Sequence, residues 1–166
     1  MLPAVEVVRW LVVVFLAAVL AIAGITDIRE RRIPNWTVLA VAVLFLPWIF
    51  VGPGVSIFAS LEAALAAFLI SFCLYAFRLI GAGDSKLLTV AALFVGLAQL
   101  VPFFVLVALA GGVIAVVSLA MDPTRALVMF QLRGRGQFGR GVPYGVAIAI
   151  AAIAAVVWPL FRKAPE

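Results

Sequence analysis

An all-α membrane protein of about six transmembrane helices is what this sequence predicts, on three observations. Apolar residues make up 67% of the chain and charged residues 11%, against roughly 45–50% and about 25% in soluble domains. The apolar residues fall into six runs close to the length of a bilayer-spanning helix. The basic residues concentrate in short segments between those runs. Too little polar surface remains to cover a soluble core, so 166 residues read as one transmembrane domain, 1–166.

The runs are Val5–Ile25, Trp36–Val51, Ile57–Phe77, Leu87–Val101, Phe103–Met121 and Val142–Phe161. A span needs about 20 apolar residues. Each run is expected to be helical, because a helix satisfies its own backbone in lipid. The first run is too long for the apolar part of a signal peptide, lacks a strongly basic start and is followed by more spans, so it reads as a retained span. The fourth is short and meets the fifth at Pro102, which disfavours helical geometry before it. Runs four and five are therefore a hairpin or one kinked helix.

Charge favours the hairpin. Segments Asp27–Asn35, Arg78–Lys86 and Asp122–Gly141 hold nine of the twelve Lys and Arg residues, while Gly52–Ser56 and Gln99–Pro102 hold none. The positive-inside rule places the three basic segments in the cytoplasm. The last two share a side only if the chain crosses twice between them. Loop 122–141, with RGRGQFGRG, reads as a flexible cytoplasmic loop near anionic lipid headgroups. Since topology accounts for the basic charge, a nucleic-acid partner is not expected.

The chain has no histidine and one cysteine, Cys73. That excludes a histidine-based triad, a cysteine tetrad and a disulfide, and no metal or cofactor is expected. Of the seven acids, Asp27 in GITDIRERRIPN closes the first span and Asp84 in GAGDSKLL opens the fourth. Two carboxylates at one depth on different helices can share a proton, one activating water while the other polarises a carbonyl. Simpler roles stay open: Asp84 as the N-cap of its helix, Asp27 as a charge ending a span. Gly81 and Gly83 allow close approach of a backbone or a helix. In VPYGVAIA, Pro143 suits a first helical turn and Gly145 close helix packing.

On these residues the chain resembles the type IV prepilin peptidases, the bacterial branch of the GxGD membrane aspartyl proteases. Asp27 followed by Ile33-Pro34-Asn35 is similar to the family's first aspartate and its Ile-Pro-Asn. Gly81-Ala82-Gly83-Asp84 with Lys86-Leu87 is similar to Gly-x-Gly-Asp-x-Lys-Leu, and Pro143-Tyr144-Gly145 to a C-terminal signature. The resemblance implies that Asp27 and Asp84 are catalytic. It implies that Gly81, Gly83, Lys86, Pro34, Asn35, Pro143, Tyr144 and Gly145 shape the site, with Lys86 orienting the carboxylate or binding lipid phosphate.

It further implies a prepilin-like substrate helix cut at the cytoplasmic edge of the bacterial inner membrane, with membrane lipids and pilus assembly machinery as partners. Larger members carry an N-terminal cysteine tetrad and also methylate the new terminus. This chain resembles the compact Flp, or tight-adherence, kind, and methylation is not implied. Two rivals remain at this stage. One is a presenilin-like GxGD protease, whose Tyr-Asp and Pro-Ala-Leu signatures differ from Thr26-Asp27 and Pro143-Tyr144-Gly145. The other is a proton-coupled transporter or assembly protein, whose acids would lie nearer the bilayer midplane.

Overall fold

The fold follows from a computed structural model that describes residues 3–54, 56–121 and 144–162. Six α-helices run in chain order: α1 (Ala4–Glu30), α2 (Asn35–Val51), α3 (Ile57–Ala76), α4 (Ala82–Val95), α5 (Leu100–Met121) and α6 (Tyr144–Arg162). A 3₁₀ turn, Leu97–Gln99, joins α4 to α5, and no strand occurs among the described residues. Loop 122–141 and Pro143 lie outside them.

The ends of these helices have local causes. Arg31 ends α1 in the left-handed conformation, φ 54° and ψ 36°, and its N–H donates to the Asp27 carbonyl. Pro34 starts α2, and its carbonyl accepts from both the N–H and the hydroxyl of Thr37. Past α3, Arg78 takes φ 58°, and the Leu79 N–H reaches back to the Leu74 carbonyl, satisfying a terminal acceptor.

The junction between runs four and five differs from the expectation at Pro102. Helix α4 begins at Ala82 rather than Leu87 and stops at Val95, where Gly96 adopts φ 71°. Only glycine enters that region freely. Pro102 falls in the first turn of α5, where a missing N–H leaves no bond unmade. The break is therefore set by the glycine.

Contacts at both ends show that the helices alternate in direction. Asp27, near the end of α1, meets Gly145 at the start of α6, and Ile33 packs on Gly83 at the start of α4. At the opposite end Trp48 meets Phe94, their ring centroids 5.8 Å apart, and Arg9 donates to the Val51 carbonyl at 2.7 Å. The middle of α5 comes back to the acid end, where Gly111 lies against Tyr144. So α4 and α5 form an antiparallel pair, and segments 31–34 and 77–81 share one end of the bundle.

Small residues allow the helices to close. Ser60, Ala63, Ala67 and Ser71 form the buried stripe of α3, three or four residues apart, and among the described helices α3 packs most extensively on α4. Such stripes let backbones approach in lipid, where apolar side chains gain little from burial against one another. Large apolar side chains cover the outside, Phe50, Phe58 and Phe77 among them.

Three stretches, Ala4–Glu30, Ile57–Ala76 and Leu97–Ser118, are long and apolar enough to cross a bilayer; Asn35–Val51 and Tyr144–Leu160 are apolar but shorter. Helix α4 has 14 residues and rises about 21 Å, less than the roughly 30 Å hydrocarbon core. It depends on its neighbours for its place.

The alternation can be checked by labelling. In a Cys73→Ser background, Arg32→Cys and Leu79→Cys are expected to react with an impermeant maleimide from one side of the membrane, and Ser56→Cys from the other. Reaction of all three from one side contradicts it.

Candidate active site

Both aspartates serve helix ends, but neither in the simple way that its local sequence indicates. The first N–H groups of a helix lack partners within it. At the start of α6, the Gly145 N–H donates to Asp27 Oδ2 at 2.8 Å, in a buried contact. A side chain from α1 thus satisfies a helix that begins 117 residues later (144 − 27). The positive end of that helix favours an anion there. Asp27 is only 8% exposed, so a carboxylate here needs such a donor.

Glycine is required at this contact. A Cβ at position 145 would stand 2.9 Å from Asp27 Oδ2 and 3.0 Å from its Cβ. One turn away, a Cβ on Gly24 would sit 3.4 Å from Val146 Cγ2. The two helices meet closely over this stretch.

Asp84 is the third residue of α4, and Gly81 is its N-cap. This corrects the reading of Asp84 as the cap. Its Oδ2 accepts from the Gly81 N–H at 3.1 Å, the half of a capping box that a glycine cap permits. Its Oδ1 is buried and has no hydrogen-bond partner. Asp27 near the end of α1 and Asp84 in the first turn of α4 lie at the same end of the bundle, where the Ile33 segment that follows α1 packs on Gly83.

The residues flanking Asp84 tie α4 to three other segments. A Cβ on Gly83 would approach Ile33 Cβ to 3.1 Å; what comes close to this glycine is the Ile33-Pro34-Asn35 segment. Ser85 and Ser71 exchange a buried hydroxyl bond of 2.9 Å between α4 and α3. Lys86 Nζ donates to Asn35 Oδ1 at 3.1 Å. Lys86 therefore binds across to α2 and makes no ion pair with Asp84 within 4 Å. Pro34 caps α2, and the Tyr144 ring covers Gly111, whose added Cβ would lie 3.2 Å from Tyr144 Cε1.

Two participants escaped the sequence reading. Ser71 looks like one more small residue in an apolar run, and only its buried spacing with Ser60, Ala63 and Ala67 marks its face. Arg31 looks like one of three loop arginines, yet its charge acts on Asp27 and its Nη1 is buried without an acceptor.

Among the described residues no group of three His, Cys, Asp or Glu side chains comes together as a metal site. Two carboxylates, each held through one oxygen by a backbone N–H, make a set suited to exchanging protons with water and a carbonyl.

A model of the type IV leader peptidase family matches residues 14–116, more than half of the chain. That stretch contains both aspartates. No curated protein and no solved structure matches the chain significantly.

The packing at Gly145 makes a prediction about stability. Gly145→Ala is expected to cost about 1–3 kcal/mol, as overpacking does, and to lower the unfolding temperature in detergent. Gly112→Ala, with nothing within 4 Å of the added Cβ, serves as the control and should leave that temperature unchanged or raised. Equal behaviour of the two variants contradicts the close contact.

Proposed function

The chain belongs to the type IV leader peptidase family, and from that premise we propose that it is a membrane aspartic endopeptidase with Asp27 and Asp84 as its catalytic pair. Its substrate is the leader of a prepilin-like protein, of the Flp kind, cut where the leader meets its hydrophobic helix. The observation that carries this reading is that two buried aspartates at one end of the bundle are each held by a backbone N–H, Asp27 by Gly145 and Asp84 by Gly81, with Asp84 Oδ1 left unpartnered.

The mechanism uses one proton shared by two carboxylates. The ionised member takes a proton from water, and the hydroxide so formed attacks the scissile carbonyl. The protonated member hydrogen-bonds the carbonyl oxygen, and a carboxyl proton then passes to the leaving nitrogen as the C–N bond breaks. The Gly145 and Gly81 N–H groups hold the two side chains by their Oδ2 atoms, leaving the other oxygens for the reaction. No cofactor enters this scheme.

Placement follows the charges. Segments 31–34 and 77–81 share the acid end of the bundle and carry basic residues, so the positive-inside rule puts the site on the cytoplasmic side of the bacterial inner membrane. A substrate helix lying against the bundle would then keep a basic leader in the cytosol.

Co-expression with an Flp-type prepilin tests the reading. The wild type is expected to remove the leader, seen as a shift on a gel. Asp27→Asn and Asp84→Asn are expected to accumulate in the membrane but to lose at least about a thousandfold in rate, as removal of one member of a catalytic unit does. Near-normal processing by either variant would end the two-aspartate reading.

Activity should also be bell-shaped in pH. Acid protonates both carboxylates and removes the base; alkali strips the shared proton and removes the acid. A rate that changes monotonically across the range of stable protein contradicts a shared proton.

A further inference from the structure

We propose that Arg31 is a third polar group of the site, donating from its guanidinium to a backbone carbonyl oxygen of the bound peptide next to Asp27. This rests on the peptidase reading above. Three observations lead to it.

The first is backbone conformation. Arg31 sits at φ 54°, ψ 36°, a region that non-glycine residues enter rarely. Its N–H closes on the Asp27 carbonyl at 3.0 Å. The residue is thus fixed one turn beyond Asp27, at the point where the chain leaves α1.

The second is the unused donor. Arg31 Nη1 is buried and has no acceptor. Guanidinium N–H groups taken out of water almost always find a partner. The other cations near this end stand differently. Arg29 and Arg32 are exposed, and Lys86 is engaged with Asn35.

The third is the relation to Asp27. The Arg31 charge acts on that carboxylate, yet among the described residues the one ion pair within 4 Å is Arg9 with Glu6. Arg31 follows the acid by one turn but makes no ion pair with it within 4 Å. Asp27 already accepts from the Gly145 N–H on α6, so Arg31 is not needed to hold it.

A buried donor beside a carboxylate pair suits an acceptor that only the substrate brings. A peptide carbonyl oxygen gains negative charge as water adds to its carbon, and a fixed cationic donor binds that oxygen more strongly in the transition state than in the ground state. Arginine suits this role because it stays charged in a poorly solvated place.

The test is prepilin cleavage in membranes by wild type, Arg31→Met, Arg31→Lys and Arg31→Ala, with Asp27→Asn and Asp84→Asn alongside. Arg31→Met should accumulate normally and lose about 100-fold or more in kcat with little change in KM, the loss typical of a missing oxyanion donor. Arg31→Lys should recover part of that loss. Added methylguanidinium should revive Arg31→Ala by about tenfold or more, since the loss being restored is of that oxyanion-donor size, and should leave Asp27→Asn inactive.

A merely structural arginine would not respond to a soluble guanidinium. If Arg31→Met cuts at a near-wild-type rate while the aspartate variants are inactive, the inference fails and the peptidase reading stands. If Arg31→Met does not accumulate, Arg31→Ala decides, and absence of revival overturns the proposal. If the wild type cuts no prepilin, the reading beneath it falls, and the inference with it.

Discussion

The hydrogen bond from the Gly145 N–H to Asp27 Oδ2 is the contact on which the rest of the site depends. It joins residues 118 positions apart and solves two problems at once. Helix α6 begins with N–H groups that have no intrahelical acceptor. Asp27 is almost fully buried and needs a donor to stay in place. A hydrogen bond to a charged group contributes roughly 1.5–3 kcal/mol, and leaving such a group unsatisfied costs more. The bond forms because residue 145 has no side chain, so that α6 comes within 3 Å of where the acid already stands. Position 24 lets the same two helices pack one turn further along.

Around Asp84, consecutive residues each face a different part of the bundle. Gly83 admits Ile33, Asp84 turns back on Gly81, Ser85 meets Ser71, and Lys86 crosses to Asn35. This is how a 14-residue helix, too short to span a bilayer unaided, is held in one position. Fixing its first turn fixes Asp84 relative to Asp27. Rigid elements that carry reacting groups avoid reorganisation at the moment of reaction. The crowding of polar residues between 81 and 86 is thus a feature of assembly as much as of chemistry.

The two ends of the bundle differ in kind. At the end away from the acids, the Phe94 ring meets Phe45 edge-on and Trp48 at a tilt, and the chain turns at Gly96 without a basic residue in that turn. At the acid end, arginines end α1 and follow α3, both Arg31 and Arg78 in left-handed conformations. The turn that ends α1 therefore places Arg31 one turn beyond Asp27. Lipid facing the outside of the bundle asks only for apolar surface, and the buried polar residues Asp27, Thr37, Ser71 and Ser85 lie toward the acid end, while Arg9 and Glu6 pair at the other.

The sequence by itself determined that the chain forms apolar membrane helices and roughly where each described one runs, and it placed segments 31–34 and 77–81 at one end. Composition, run length and charge are local properties and survive any packing. It also marked Asp27, Asp84 and the glycines near them, because an acid or a close pair of glycines stands out among Leu, Val and Ala. What it could not decide was who meets whom. The break fell at Gly96 rather than Pro102, since a proline is harmless in a first turn and a glycine is free to leave the helix. Lys86 found Asn35 instead of the neighbouring acid, Asp84 capped from the third position, and Arg31 stood apart from two similar arginines. Each of these depends on which helix lies across the interface, and helix packing is settled by the whole set of small and large side chains along every contact.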